Sequence, residues 1–360
     1  MTSRMESDDA PTAAGRGGEP VPHAVFTTDG LAGGESFACW RDSISCIFEV
    51  EASREVREEN FQASVDAHML GPIMLARTAS RRQHWARTAG LMARDGMDHY
   101  MVQLFEKGCT FWETRGGSFR IPENGLLVFD LAREVDTVTD DFANLSLILP
   151  REMLQDSLER PDDQHMRVLH GTEPMVALLH DHMLSLKRLA ARMSAQQAIT
   201  VAPATAGLAA ACLNAAASDR PDIRAGVALA QLGRIRRFIE AHLSETELSA
   251  DWIAGRVGVS RSKLYALFDA FGGVAAYVRD RRLRRALLML TDPSQGRRSI
   301  YDIALACGYG SDTAFSRAFR ARYGVPPADA RRHGAVPAPE DNDGAGLDRR
   351  YERWLRHLSV

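Results

Sequence analysis

Residues 299–331, SIYDIALACGYGSDTAFSRAFRARYGVPPADAR, carry the pattern that most restricts how this chain can fold. Ile300, Ile303 and Ala304 recur at helical spacing, so the segment begins with a short helix that has one narrow apolar face. Gly308 follows, and a glycine takes the left-handed conformation that ends a helix without a Cβ penalty. The pattern therefore predicts a short buried helix and then a tight turn.

A second helix is predicted after that turn. Ser311 or Asp312 can cap it by accepting a backbone N–H, and Phe315 and Phe319 face inward because they are four residues apart. The outer face is left with small, polar and arginine side chains, and the glycine and prolines of 324–327 end the helix. A buried helix followed by one with such an outer face suits the major groove of a DNA duplex.

A similar pattern occurs about 50 residues earlier, in 248–268. Ser249 and Ser260 can cap two helices, Gly258 makes the turn between them, and Phe268 faces the core. The sequence therefore predicts two helix-turn-helix units in one chain.

Between the units, the segment VAAYVRDRRLRRALLMLTD (274–292) predicts a long helix with a buried seam. Since an α-helix rises 1.5 Å per residue, some 17 helical residues span roughly 25 Å. With the bodies of the two units added, their recognition helices would lie near the ~34 Å of one duplex turn, so both can enter successive major grooves. The helix also carries five arginines: Arg279, Arg281, Arg282, Arg284 and Arg285.

Charge is distributed unevenly along the chain. The net charge is −3, but residues 231–333 hold 18 Lys and Arg against 10 Asp and Glu. That segment carries +8, so the remainder carries −11. A basic segment on an acidic body indicates that one part meets a polyanion. Arginines that only line solvated helix faces are the alternative explanation.

The residues before this segment have a different character. Residues 1–22 are polar and are predicted to be disordered. Short β-prone runs with a period of two follow over 60–150, which is typical of a sandwich or small barrel. Over 151–217 the apolar residues return to helical spacing, and they include a leucine-rich stripe at 178–189 that is either core or a dimer surface.

The sequence predicts neither a metal site nor a catalytic site. His180 and His182 are close in sequence, but positions i and i+2 of a helix point in different directions. We find no nucleophile, P-loop or dinucleotide-binding motif. We therefore expect no metal, no cofactor and no enzymatic activity.

The composition places the protein in the cytoplasm. The five cysteines are scattered, which argues against a disulfide framework and against a zinc site and fits a reducing compartment. The N-terminus lacks a hydrophobic signal segment, and no apolar run approaches the ~20 residues that cross a bilayer. We therefore expect no membrane association.

The segment 299–331 closely resembles the signature of the AraC/XylS transcriptional regulators, I-x-D-I-A-x-x-C-G-[FY] … F-S-R-x-F … G-x-x-P. The segment 248–290 agrees with the same family. Residues 37–150 resemble the cupin-like sensor domain of a branch of that family, but the metal-binding cupin motif of histidines and glutamate is absent. The residues that match the signature are Ile300, Asp302, Ile303, Ala304, Cys307, Gly308, Tyr309, Phe315, Ser316, Arg317, Phe319, Gly324 and Pro327.

The resemblance implies a multidomain α+β protein. Its N-terminal part would be a cupin-like β-barrel with helices, and its C-terminal part an all-α domain in which a long helix joins two helix-turn-helix units. The expected divisions are a disordered tail (1–22), a sensor and dimerisation domain (23–220, β-rich over 60–150 and helical over 151–217), a DNA-binding domain (226–333, with units at about 248–268 and 300–322) and a C-terminal tail with a short helix (334–360).

Family geometry also implies which side chains face the DNA. Arg317 is expected to contact guanine O6 and N7, with a phosphate contact as the alternative. Arg320, Arg261 and the arginines at 279–285 are expected to clamp phosphates or to be solvated. The predicted DNA-binding residues are Arg261, Ser262, Tyr265, Asp312, Thr313, Ala314, Arg317 and Arg320.

Three residues of the two units have alternative roles. Asp312 either accepts a hydrogen bond from cytosine N4 or caps its helix. Tyr265 either packs on a sugar or covers the edge of the core. Cys307 is expected to be a small buried residue of the turn rather than a redox sensor.

These features predict a sequence-specific transcription factor of bacterial promoters whose N-terminal domain senses a small-molecule effector or a partner. The expected partners are double-stranded DNA, RNA polymerase, a small-molecule effector and a second copy in a homodimer. An adaptor that acts through protein contacts and a cupin-type enzyme are the alternatives.

Overall fold

The computed structural model describes most of the chain. Residues 1–18 of the predicted disordered tail and the predicted break near residue 220 lie outside the described residues. The end of that tail is placed, because Pro20 pairs with Ser194 and Val21 is buried. The described residues are 19–31, 33–58, 61–114, 117–122, 124–215, 223–334, 342–343 and 347–358.

The N-terminal domain is built on two facing antiparallel sheets. Its strands are β1 (His23–Thr27), β2 (Glu49–Glu51), β3 (Ala63–Leu70), β4 (Ile73–Ser80), β5 (Gln83–Arg87), β6 (Tyr100–Lys107), β7 (Thr110–Thr114), β8 (Gly117–Arg120), β9 (Leu126–Asp130), β10 (Val135–Thr139), β11 (Phe142–Leu149) and β12 (Arg167–Leu169). The larger sheet has the order β1-β3-β4-β11-β6-β9-β12, and the smaller has the order β2-β5-β10-β7-β8.

Helices flank these sheets. They are α1 (Gly33–Ile44), α2 (Arg54–Glu58), α3 (Ala89–Asp95), α4 (Arg151–Leu154), α5 (Pro174–Leu189) and α6 (Ala195–Ala215). On α5, Leu179, Met183 and Leu186 of the predicted stripe are buried, whereas Leu178 and Leu189 are exposed. Most of the stripe is therefore core.

The central strand β11 separates two hydrophobic cores. Phe142 and Ile148 point into the core between the sheets, while Leu145 and Leu147 point into the core beneath α4–α6. Every residue of β11 is buried for this reason. The period of two along this strand thus alternates between two apolar environments, as expected of a strand that is covered on both faces.

Helix α6 corrects one expectation. It has 21 residues and is long and apolar enough to cross a membrane by length and composition, so the prediction that no such run exists is wrong. In the fold, Ala202, Ala206 and Leu213 of this helix are buried in the core against the larger sheet. Small alanines allow the helix to approach its neighbours closely, which explains its apolar composition.

The C-terminal domain consists of helices around two cores. They are α7 (Ile223–Ala241), α8 (Ala250–Val257), α9 (Arg261–Phe268), α10 (Val274–Thr291), α11 (Ile300–Ala306), α12 (Asp312–Tyr323) and α13 (Pro327–Gly334). The long helix α10 belongs to both cores, since Tyr277 packs with α8 and α9 whereas Leu283 and Leu287 pack with α11 and α12. The predicted α+β class, with two helix-turn-helix units joined by a long helix, is confirmed.

The last described residues return to the N-terminal domain. They form β13 (Asn342–Asp343), β14 (Leu347–Asp348) and α14 (Arg350–His357). The backbone N–H of Val25 donates to Asp348 Oδ2 at 3.1 Å, and Tyr351 and Leu355 are buried in the core between the sheets. The sequence predicted a short helix in the tail but gave no docking partner for it, and the structure supplies one.

Candidate nucleic-acid interface

The first helix-turn-helix unit is shaped by two serine caps and a glycine. Ser249 Oγ accepts from the backbone N–H of Trp252, and Ser260 Oγ accepts from that of Lys263, both at 3.2 Å. Gly258 ends α8 in the left-handed conformation with φ of 70°. Each cap satisfies a donor that a helix end leaves free, so α8 and α9 begin where the sequence predicted.

The second unit has a reciprocal cap. The backbone N–H of Asp302 donates to Ser299 Oγ at 3.0 Å, and that of Ser299 donates back to Asp302 Oδ2 at 3.2 Å. Gly308 has φ of 76°, and a Cβ there would collide with the carbonyl oxygen of Leu243. The turn therefore needs glycine both for its conformation and for this close approach.

The recognition helix α12 is capped by Ser311, which accepts from the backbone N–H of Ala314 at 3.2 Å. The alternative assignment of Asp312 as the cap is wrong, because Asp312 is the first residue of the helix. Its side chain is exposed, as the predicted contact with a base requires. Phe315 and Phe319 are fully buried beneath this face, and so is Cys307 in the turn, as predicted.

The structure places every predicted DNA-binding residue on an exposed face. Tyr265 is 44% exposed, and the Arg261 guanidinium carbon lies 5.9 Å from the centroid of its ring. Arg261 is exposed but forms an ion pair with Asp251 at 3.1 Å. The exposed residues lie on α9 (Arg261, Ser262 and Tyr265) and on α12 (Asp312, Thr313, Ala314, Arg317 and Arg320).

Arg317 and Arg320 are available for DNA in a way that Arg261 is not. Among the described residues, neither has a carboxylate within ion-pair distance. A phosphate or a base has no internal ion pair to displace at these two positions, whereas at Arg261 it competes with Asp251. That competition is weak, because an exposed ion pair contributes only about 0–1 kcal/mol.

The arginines of α10 divide into three sets, and this corrects the assignment of all five to phosphates or solvent. Arg279 and Arg285 are exposed. Arg282 Nε donates to the carbonyl of Leu243 at 3.0 Å, which fixes the end of α7. Arg281 and Arg284 turn instead toward the N-terminal domain, where they meet carboxylates.

One of these contacts is a buried charge cluster around Asp130. Asp130 is 2% exposed and forms an ion pair with Arg151 of its own domain. Arg284 Nη2 lies 3.5 Å from the same carboxylate and 3.2 Å from Asp98 Oδ2. Burial by itself raises the pKa of Asp130, but the Arg151 and Arg284 guanidinium groups outweigh it and hold that pKa well below its usual range.

A second contact is centred on Asp162, which lies in a short 3₁₀ helix. The Tyr277 hydroxyl donates to Asp162 Oδ2 at 2.7 Å, and Arg236 and Arg281 each lie 3.5 Å from the carboxylate. Burial raises the pKa of Asp162, but Arg281 and Arg236 outweigh it and lower that pKa. Asp162 is therefore a carboxylate of the N-terminal domain whose partners come from α7 and α10.

An apolar contact accompanies these ion pairs. Ala93 of α3 is fully buried in the core of the second helix-turn-helix unit. The turn that follows α3 also touches α10, since a Cβ on Gly96 would overlap the side chain of Thr291. The N-terminal domain therefore packs directly on the unit that carries α12.

In the described part of the chain, one group of side chains has the spacing of metal ligands. It consists of His23, Asp66 and His68 at the edge of the larger sheet. His23 Nε2 lies 2.8 Å from Asp66 Oδ1, and the rings of His23 and His68 stack with centroids 4.2 Å apart. A hydrogen bond and ring stacking account for this arrangement. His180 and His182, the pair considered in the sequence analysis, do not belong to this cluster. His182 forms a hydrogen bond with Thr205, and His180 lies next to Asp181.

Comparison with known proteins agrees with this architecture. A helix-turn-helix domain model matches residues 253–333, and an AraC-binding-like domain model matches residues 40–214. The probable transcription factor PqrA of Proteus vulgaris is 35% identical over 106 residues, which are 29% of this chain and 84% of PqrA. The chain belongs to the AraC/XylS family.

Other relatives match over greater lengths. The transcriptional activator NphR of a Rhodococcus species is 23% identical over 345 residues, which are 93% of this chain and 99% of NphR. The crystal structure of the AraC-like transcriptional activator CuxR superposes with a TM-score of 0.50 at 24% identity, covering 73% of this chain and 95% of CuxR. As an AraC/XylS family member, this protein is a DNA-binding regulator of transcription.

The residues that join the two domains of this AraC/XylS regulator were not identified from sequence. Asp98 and Asp162 stand in polar surroundings that resemble ordinary surface loops. Asp130 carries a weak signal, since it ends the apolar run LLVFD. A carboxylate at the end of a fully buried strand needs a cation, and that requirement could have marked the position.

Proposed function

We propose that this protein reads a long, asymmetric promoter site with its two helix-turn-helix units and activates transcription there in response to a small molecule held by its N-terminal domain. The observation that carries the proposal is the pair of capped units on one helix, each with an exposed polar face on α9 or α12. Selection of bound DNA from a random pool tests it, and the expected product is one site with two separated contact regions.

Other parts of the proposal rest on the relatives and on the chemistry of the chain. NphR and CuxR are named transcriptional activators, which supports activation through RNA polymerase. We place the protein in the cytoplasm, where such a regulator meets its promoter, and the scattered cysteines fit that compartment. We also propose a homodimer and domain limits of 23–220 and 226–333, with 347–358 returning to the N-terminal domain.

Arg317 is proposed to read a base. Replacing it with alanine is expected to weaken binding to the selected site by about 1–3 kcal/mol and to relax the preference at one base pair. Binding constants for a set of sites that differ at single positions provide the measurement. Weakening by the same factor on every site would show that Arg317 contacts a phosphate instead.

Arg320 is the matched control on the same helix. Because it is proposed to contact a phosphate, Arg320→Ala should weaken binding to all sequences alike. It should also reduce the slope of the logarithm of the binding constant against the logarithm of salt concentration by about 1. A change in base preference in this variant would contradict the assignment.

Signal transfer is proposed to pass through the contact at Asp162. Asp162→Asn removes the carboxylate that Arg236 and Arg281 share and leaves them only Asp163 and Glu240, so the two domains should separate more readily. Calorimetry is expected to show two unfolding transitions in the variant where the wild-type protein shows one. The control is Asp181→Asn, whose side chain is 80% exposed, and it should unfold like the wild type. An unchanged single transition in Asp162→Asn would contradict the proposed contact.

A further inference from the structure

Three side chains on the outer face of the larger sheet meet where β1 pairs with β3. His23 stands directly opposite His68 in the antiparallel register, and Asp66 lies two residues before His68 on the same face of β3. This grouping was not predicted from sequence, because His23 is 43 residues from Asp66 and only strand pairing brings them together. Two imidazoles and one carboxylate are ligands that suit a divalent ion such as zinc.

The ligand atoms have the spacing that one metal ion requires. His23 Nε2 lies 2.8 Å from Asp66 Oδ1, and His68 Nδ1 lies 3.6 Å from the same oxygen. One ligand atom of each residue lies within 4.8 Å of the others. In a tetrahedral zinc site with bonds of about 2.1 Å, the ligand atoms are roughly 3.4 Å apart. The two measured distances lie on either side of that value, so small side-chain rotations would place all three atoms around an ion.

His68 lacks the hydrogen bonds that a buried histidine usually makes. Its residue is 9% exposed, its Nε2 is buried without a hydrogen-bond partner, and its Nδ1 is too far from Asp66 for a hydrogen bond. By contrast, the two ring nitrogens of His165 are bonded to backbone groups of Asp130 and Glu134. Stacking on His23 holds the His68 ring but gives neither nitrogen a partner. No hydrogen bond therefore prevents Nδ1 from presenting its lone pair to a metal ion beside Asp66.

The charges around the cluster also favour a cation. Arg77 stands opposite Asp66 on β4, but its guanidinium pairs with Glu106 at 2.7 Å. In the described part of the chain, Asp66 has the two histidines and no lysine or arginine within ion-pair distance. Burial lowers the pKa of His68 and the nearby His23 lowers it further, against the opposite effect of Asp66. His68 is therefore neutral at pH 7, which is the form that binds a metal.

The strand β1 also holds the end of the chain. The backbone N–H of Val25 donates to Asp348 Oδ2 at 3.1 Å, and Arg350 Nη2 donates to the carbonyl of His23 at 2.7 Å. Arg350 is the first residue of α14 and forms an ion pair with Asp348 at 2.7 Å. His23 therefore contributes its ring to the cluster and its carbonyl to the docking of α14.

We propose that His23, Asp66 and His68 bind one divalent transition-metal ion of the zinc type, and that the ion fixes β1 and the helix α14 that docks on it. The side chains of His23 and Asp66 are 44% and 50% exposed, so water can reach the remaining coordination position. Magnesium and calcium do not suit the site, because both prefer oxygen ligands. This metal site goes beyond the proposed function and does not depend on it.

The test titrates zinc into full-length protein that has first been treated with a chelator. Calorimetry should show one zinc ion per chain and no binding of magnesium. His23→Asn and Asp66→Asn replace exposed side chains, and each should weaken zinc binding by about tenfold or more, as should His68→Gln. The matched control is His84→Asn. His84 Nε2 lies 3.0 Å from Asp136 Oδ1, but no third ligand joins this pair among the described residues, so the affinity should be unchanged.

Cysteine thiolates are the competing explanation for bound zinc, since Cys39 and Cys109 are partly exposed. Cobalt(II) distinguishes the two kinds of site, because thiolate ligands give it an intense charge-transfer band that imidazole and carboxylate ligands do not. The proposal would be overturned by the absence of zinc binding, by a thiolate band from the first equivalent of cobalt, or by an unchanged affinity in any of the three ligand variants. An equal loss in His84→Asn would also overturn it.

Amide hydrogen exchange tests the link to α14. Zinc should slow exchange in residues 350–357 of the wild-type protein about threefold or more, because the ion fixes the strand on which Asp348 and Arg350 dock. In His23→Asn the same zinc concentration should leave this exchange unchanged. If zinc binds the wild-type protein and exchange in α14 does not slow, the proposed role of the ion at α14 is wrong.

Discussion

Asp130→Asn is expected to lower the free energy of unfolding by about 3–5 kcal/mol, since removing one partner from a buried ion pair leaves an uncompensated buried charge. Here two charges are affected, because Arg151 and Arg284 both face this carboxylate and are 5% and 9% exposed. Asparagine keeps the shape of the side chain and one acceptor oxygen. The loss of stability therefore reflects the missing charge of Asp130 rather than a change in side-chain volume.

The measurement is urea denaturation at pH 7, with Asp136→Asn as the control. Asp136 lies on β10 and pairs with His84, but its side chain is 83% exposed, so its replacement should change stability by less than about 0.5 kcal/mol. A loss below about 1 kcal/mol in Asp130→Asn would mean that the guanidinium groups reach water when the carboxylate is gone.

The Asp130 carboxylate also makes the free energy of unfolding depend on pH. Because the folded-state pKa of Asp130 is lowered, its contribution is fully present above the unfolded pKa of about 3.9 and is lost as the pH falls toward the folded pKa. The wild-type protein should therefore lose stability below about pH 4 more steeply than Asp130→Asn does. Parallel pH profiles for the two proteins would contradict this linkage.

The helix-turn-helix units could be predicted from sequence because their determinants are local. Ser299, Gly308 and Phe315 lie within 17 consecutive residues, and each acts on neighbours along the helix or turn. The positions predicted to face DNA follow from the same periodicity, since Phe315 and Phe319 mark the buried face of α12 and Arg317 lies on the exposed face. Local patterns of this kind are visible in a single sequence.

The link between the domains could not be predicted in this way. Asp130 and Arg284 are 154 residues apart, and no local sequence pattern around either residue identifies the other as its partner. On α10, Arg284 and Arg285 are adjacent and chemically identical, yet one is buried against Asp98 and the other is exposed. Periodicity alone places one of them nearer the buried seam, but only tertiary packing supplies the carboxylate that allows an arginine to be buried.

The docking of α14 was missed for a related reason. The sequence LDRRYERWLRHL shows an amphipathic helix and therefore requires an apolar partner surface. That surface is the opening of the core between the two sheets, next to α1 and β1. The strands and helices that form it lie more than 200 residues earlier in the chain. An amphipathic pattern predicts that one face of a helix is buried, but it does not identify the surface that covers that face.

Phe315→Ala is the other change with a large expected effect. Phe315 is fully buried, and its ring centroid lies 5.3 Å from that of Tyr309 and 5.6 Å from that of Phe319. Truncating such a residue removes apolar contacts and leaves a cavity, which costs about 3–5 kcal/mol. That cost should fall on the second helix-turn-helix unit, because the first unit has a separate core.

The reciprocal variant is Phe268→Ala, which truncates a fully buried phenylalanine in the core of the first unit. Footprinting on the selected DNA should show that Phe315→Ala loses protection in one contact region and Phe268→Ala in the other. Phe119→Ala, at a side chain that is 43% exposed in the N-terminal domain, should keep both regions.

Loss of the whole footprint in both variants would have a different meaning. Helix α10 carries Tyr277 in the first core and Leu283 in the second, so it is a direct route by which damage to one core can reach the other. A complete loss would show that α10 couples the units into one cooperative body. Loss of one region in each variant would show that α10 only spaces them, and that each recognition helix binds its groove on the strength of its own core.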